Sequence, residues 1–228
     1  MRELSYPFRK YPKESRALDR LAKKYKTTVL GTGVTPGFLM DTLVLASSGV
    51  CQDIDSIVAR RIQDASNRRL PFQKKIGAAL TPNEFNENVA SGRFRHNGLP
   101  ESAAMVAEKL GWQLKDIQPK IQPIISDSEV VSEYITVKPG QVKGLSQTAS
   151  AVDLRGREIV KFEFQAPLKP PEAFDQVVIE GSPLVDLIIK GGIYGDLATS
   201  SSSQHGSKSC CSELGSRYDG RSSNSISS

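Results

Sequence analysis

The chain has 228 residues, 38% of them hydrophobic and 24% charged, with a net charge of +5. That is an ordinary globular composition, enough for one large or two small domains. No apolar run approaches the roughly 18 residues of a membrane span, and Lys and Arg are scattered without a long basic block, so neither a membrane nor a nucleic acid is indicated as partner.

The N-terminus, MRELSYPFRKYPKES, is charged and has no apolar core, so it does not read as a secretory signal. Three cysteines, two of them adjacent at 210 and 211, do not make a disulfide framework. Cys51 reads as packing, and a reducing cytoplasm is the expected compartment. Leu18, Leu21 and Ala22 share one face of a helix predicted over Lys13 to Lys26, with basic residues opposite. Thr27 to Leu30, β-branched and apolar, reads as a buried strand. A buried parallel strand needs neighbours, and none precede this one. The segment therefore reads as the tail end of a doubly wound domain whose first part is absent.

The rest of the chain is organised around the stretch KTTVLGTGVTPGFLMD. Gly31 and Gly33 permit a sharp turn, and Pro36 suits a first helical turn. Phe38, Leu39, Leu43 and Val44 form an apolar helical face that stops near Gly49. Strand, turn and helix start make a ligand-binding corner, with free N–H groups and the helix dipole favouring an anionic or polar group. The spacing, Gly-x-Gly-x-x-x-Gly, is not the dinucleotide fingerprint, and a purely structural turn is the competing account.

Ser56 to Ile62 alternates as a strand, with Ile57, Ala59 and Arg61 on one face and Val58, Arg60 and Ile62 on the other. A polar loop, Gln63 to Lys75, comes next. Helices are predicted over Glu84 to Ser91 and from Pro100 to a stop at Gly111, separated by the loop GRFRHNGLP. From Trp112 the period becomes two, giving candidate strands at Gln113 to Ser126, Gln141 to Asp153, Glu158 to Ala166, Gln176 to Glu180 and Val185 to Ile189. The expected fold is α/β (α+β), an open mixed or antiparallel sheet with helices on one face, joined to the tail of a doubly wound domain. The expected divisions are 1–48, 49–190, 191–198 and a Ser-rich disordered tail over 199–228. The abrupt loss of periodicity after Ala198 also suits a shifted reading frame.

Four segments, GTGVTPGFLMD, RIQDASNRR with PFQKKIG, GLPES before a helix, and IIKGGIYGD, occur in the order found in the dihydrodipicolinate reductase-like group. Over roughly Leu4 to Ala198 the chain resembles that group, and within it the 2,4-diaminopentanoate dehydrogenases and related amino-acid dehydrogenases. The resemblance implies an NAD- or NADP-dependent oxidoreductase acting on a small amino acid or imine. It implies that 1–48 is the remnant of a Rossmann-type nucleotide-binding domain, 49–190 a substrate-binding and oligomerising domain, and 191–198 a return toward the nucleotide domain. It implies a homo-oligomer, and a nucleotide-binding region that this chain lacks, so weak or no cofactor binding is expected of the chain alone. It places Gly31, Thr32, Gly33, Val34, Thr35, Pro36, Gly37 and Phe38 beside the nicotinamide, with Thr35 where relatives usually carry Asn.

In the resembling reductases the loop after the Ser56 to Ile62 strand carries catalytic and substrate-binding groups. Their His pair and Lys are here replaced by Gln63, Asp64 and two arginines. Gln63, Ser66, Arg68, Arg69, Lys74 and Asn97 are the expected substrate-binding residues, since guanidinium binds carboxylate bidentately. Asp64 is expected to hold an ammonium or act as a base. His96, kept neutral by Arg93 and Arg95, is the second catalytic candidate. A solvated charged loop and a surface histidine are the competing accounts. His205 with Cys210 and Cys211 fits zinc poorly, so no metal is expected. A non-catalytic oligomerising or binding domain is the alternative function, and a basic-surface scaffold a third.

Overall fold

A computed structural model of the chain describes residues 6–8, 10–29, 31, 33–94, 98–195, 197–198 and 201. Leu30, Thr32, His96, Asn97, His205, Cys210, Cys211 and most of the Ser-rich tail lie outside the described residues.

Helix α1 spans Pro12–Lys24. A π-helical turn, Phe38–Thr42, runs into α2, Leu43–Ser48, and strand β1 comes after it at Asp53–Ile62. Helices α3 (Leu70–Lys75), α4 (Pro82–Ala90) and α5 (Leu99–Lys109) come next. The rest is strand: β2 (Leu114–Ile125), β3 (Val130–Val131), β4 (Thr136–Val137), β5 (Val142–Asp153), β6 (Glu158–Pro167), β7 (Phe174–Ser182) and β8 (Val185–Lys190). Proline opens α1, α4 and α5, where a missing N–H costs nothing. Thr81 and Glu84 form a reciprocal capping box on α4.

Six strands form one mixed sheet in the order β2-β5-β6-β1-β7-β8. Only β1 and β6 run parallel; the other neighbours are antiparallel. Register puts Ala151, Val160, Ile57 and Ile179 in one row across the sheet, with Ala149, Phe162, Ala59 and Val177 in the next. These rows are buried under α2 and α5. Val34, Leu39, Met40 and Val44 join the same core, so the turn at Gly33 to Thr42 packs into the sheet's own helical layer. The alternate rows, with Lys161, Val58 and Val178, lie half exposed on the opposite face. The expected open sheet with helices on one face is the observed one.

Four local expectations differ. Residues 27–29 form no strand and are exposed: a β-branched run gains strand structure only from a hydrogen-bonded neighbour, and it has none among the described residues. On α1 only Ser15 is buried, and Leu21 is 51% exposed, so the predicted apolar face packs little of its area. Phe38 is 43% exposed instead of joining Leu39 and Val44, because the π-helical turn rotates it away from the face that an α-helical period would give. The Gln63 to Lys75 segment contains α3, and a small β3–β4 hairpin stands apart from the main sheet.

Candidate active site

The turn from Gly33 to Thr42 is held by its own atoms. Val34 and Gly37 pair across it, and the N–H groups of Phe38 and Leu39 donate to the carbonyls of Gly33 and Val34 at 2.9 and 3.0 Å. Gly37 has φ +131°, and a Cβ there would lie 2.3 Å from the Gly33 carbonyl oxygen. Its own N–H donates to Asp41 Oδ2 at 2.8 Å. The amides of Gly37, Phe38 and Leu39 are therefore spent within the chain and are not among the free N–H groups expected to favour an anionic or polar group here.

Asp41 is the hub of this turn. Its carboxylate accepts from Gly37 N–H, from Thr42 N–H and hydroxyl, and from the Ser102 hydroxyl at 3.1 Å. Burial raises its pKa, and those donors oppose the shift. Ser102 belongs to the GLPES segment, and Gly98 of that segment abuts Pro36, where a Cβ would meet Pro36 Cδ at 2.2 Å. Two segments 61 residues apart are thus locked face to face. Thr35, 7% exposed, keeps a hydroxyl with no hydrogen-bond partner.

A second group of the expected residues gathers at the end of β1. Asp64 Oδ1 accepts from Ser66 N–H at 2.8 Å and Lys169 N–H at 3.1 Å; Ser66 Oγ also accepts from Lys169 N–H. Buried Gln73 donates to the carbonyls of Ser66 and Arg68 and accepts from Ser132. This loop is tied down at several points, unlike a solvated turn. The Arg68 guanidinium lies over Phe72 at 4.3 Å and Tyr194 at 5.6 Å from their ring centres. A cleft of about 100 Å³ opens here, lined by Gln63, Asp64, Asn67 and Arg68 on one side and Gly191 to Tyr194 on the other. Arg69 and Lys74 are exposed and do not line it, and neither does Ser66. A larger cleft of about 420 Å³, between Tyr6, Phe8 and α5, contains none of the expected residues.

Beneath the cleft sits an ion pair absent from the sequence-based candidates. Arg61 and Asp175 are cross-strand partners, 2% and 0% exposed, with Nη1 and Oδ2 3.6 Å apart. Burial pulls the Arg61 pKa down to about 10, with Asp175 opposing the fall and Arg68 adding to it. Burial likewise raises that of Asp175. A signal for the pair exists in the sequence: Arg61 shares the inward face with Ile57 and Ala59, a place where a charge needs a partner. A strand begun at Gln176 leaves that partner out.

The fold matches part of a solved structure, that of an amine dehydrogenase from Mycobacterium smegmatis, with a TM-score of 0.72 over 88% of this chain and 60% of that one, at 22% identity. Residues 38–204 match the family model of the 2,4-diaminopentanoate dehydrogenase C-terminal domain, and the chain belongs to that family. It is 30% identical over 203 residues to the 2,4-diaminopentanoate dehydrogenase of Acetoanaerobium sticklandii, a stretch that is 86% of this chain. The chain spans 57% of that relative's length.

Proposed function

We propose that the chain is the substrate-side part of an NAD- or NADP-dependent oxidoreductase acting on a small amino acid, with 2,4-diaminopentanoate as the first candidate. The observation that carries this reading is the cleft at the end of β1, which brings a carboxylate, Asp64, and a guanidinium, Arg68, to one small volume. An amino acid presents an ammonium and a carboxylate a few ångströms apart, and these two side chains complement them. The loop amides bind Asp64 Oδ1, while Oδ2 takes one long hydrogen bond, 3.5 Å, from Asn67 and is the oxygen suited to an ammonium. The ordered loop fixes both groups in advance, which lowers the entropy cost of binding.

The residues that would face a nicotinamide are drawn from Gly31 to Phe38. The buried, unpaired Thr35 hydroxyl fits a polar uncharged group such as a carboxamide. When bound, the cofactor supplies hydride acceptance, and the protein's part is binding and orientation. We further propose a homo-oligomer, supported by the half-exposed apolar side chains of Val58, Ile62 and Val178 on the uncovered sheet face. A cytoplasmic location goes with this reading; among the described residues no helix is long and apolar enough to cross a membrane.

The test is reduction of NAD or NADP dependent on 2,4-diaminopentanoate in a full-length relative, with the Asp64→Asn and Arg68→Ala changes placed at the matching positions and compared to that relative's wild type. Each variant is expected to lower kcat/KM by about tenfold or more. Activity that both variants leave intact would remove the cleft from the mechanism.

A further inference from the structure

Ile193 lies three residues beyond β8, and both of its backbone polar groups are gripped from below. Its N–H donates to Asp175 Oδ2 at 2.7 Å. Its carbonyl accepts from Arg61 Nη2 at 2.6 Å and from Gln63 Nε2 at 3.2 Å. The neighbouring Tyr194 hydroxyl donates to the Asn67 carbonyl at 3.2 Å. The gripped loop is one wall of the cleft; Gln63 to Arg68 is the other.

Stability alone does not account for the charged pair. Burying two ions costs several kcal/mol each, and a well-packed apolar pair of similar volume is often as stable or more so. The Arg61–Asp175 geometry is not tuned for mutual attraction either. Nη1 of Arg61 and Oδ1 of Asp175 have no hydrogen-bond partner, whereas Nη2 and Oδ2 are aimed at Ile193. An apolar pair could fill the space but could not hold an N–H and a C=O at once.

We propose that Arg61 and Asp175 are positioning residues, a buried latch that fixes the 191–195 loop against the end of β1 and so sets the width of the cleft. The effect on ligand binding rests on the reading of that cleft as an amino-acid site; the latch itself does not. It is tested on the full 228-residue chain with Arg61→Met/Asp175→Leu, which removes both charges together and leaves no lone buried ion, and with Arg61→Lys, which keeps a charge and a donor. Amide exchange is followed at Ile193 and, as a core reference, at Val177 of β7, while calorimetry measures binding of 2,4-diaminopentanoate.

In the double variant, exchange at Ile193 is expected to rise by about tenfold or more with Val177 unchanged. Binding is expected to weaken by about tenfold, with Arg61→Lys close to wild type on both counts. Unchanged exchange at Ile193, or a rise that Val177 shares equally, overturns the latch. Equal binding by wild type and double variant overturns its role in positioning. A wild-type chain that binds no diamino carboxylate sinks the amino-acid reading instead, and exchange at Ile193 still supports or overturns the latch.

Discussion

At the Pro36–Gly98 contact the chain is held by missing side chains; at the end of β1 it is held by buried polar ones. In the first region two backbones meet where a single Cβ would collide, and the one buried carboxylate, Asp41, is surrounded by donors. In the second, Arg61, Asp175 and Gln73 reach across open backbone to tie down two loops, and atoms of Arg61 and Asp175 remain unpaired. Steric fit tolerates no addition but is indifferent to pH and salt. Polar ties tolerate shape changes but fail when a partner is removed, because a buried donor or acceptor left alone costs more than the bond contributed.

The largest effect is expected from one methyl in the first region. Gly98→Ala places a Cβ on the Pro36 ring at φ +115° and should lower unfolding stability by about 3 kcal/mol, read by denaturant titration. A loss under about 1 kcal/mol would mean that the contact relaxes easily and that the fit is not steric. In the second region, Gln73→Leu keeps the volume but strips the carbonyls of Ser66 and Arg68 of their donor, for a loss of about 2 kcal/mol. If that variant is as stable as wild type, the loop is held by packing and the two regions do not differ in kind.

Ser102→Ala removes one of the donors around Asp41 and is expected to cost about 1 kcal/mol, since the remaining donors still satisfy the carboxylate. The smallest effect is a slope. The folded pKa of Asp41 is raised, so over the range just above pH 4 the folded chain holds a proton that the unfolded chain has released. Its contribution to stability is therefore greatest at low pH and is lost as pH rises through the folded pKa. The stability difference between wild type and Asp41→Asn should fall on going from pH 4 to pH 7. A difference that grows with pH would show that the hydrogen bonds around Asp41 outweigh its burial.

The first region is largely legible in the sequence, because Gly, Pro and the segment GLPES mark backbone that must bend or come close. What the letters do not carry is the use of the amides: Phe38 and Leu39 donate inside the turn, and only the folded geometry shows it. The sheet is also legible, since period two persists over long strands such as β5 and β6. The two-residue strands β3 and β4 are too short to show any period. Thr27 to Val29 has the composition of a strand, but strand structure belongs to a pair and cannot be read from one member. The Arg61–Asp175 pair joins strands far apart in the chain, a separation at which no local pattern speaks.

The central claim is that the cleft between Asp64, Arg68 and the 191–194 loop receives an amino-acid head group. Titrating the isotope-labelled chain with 2,4-diaminopentanoate and following backbone amide signals tests it most directly. The account predicts saturable shifts at Asp64, Asn67, Arg68, Gly191 and Gly192, abolished by Asp64→Asn and Arg68→Ala together. Saturable shifts confined to residues away from the cleft, or none at all, would contradict it.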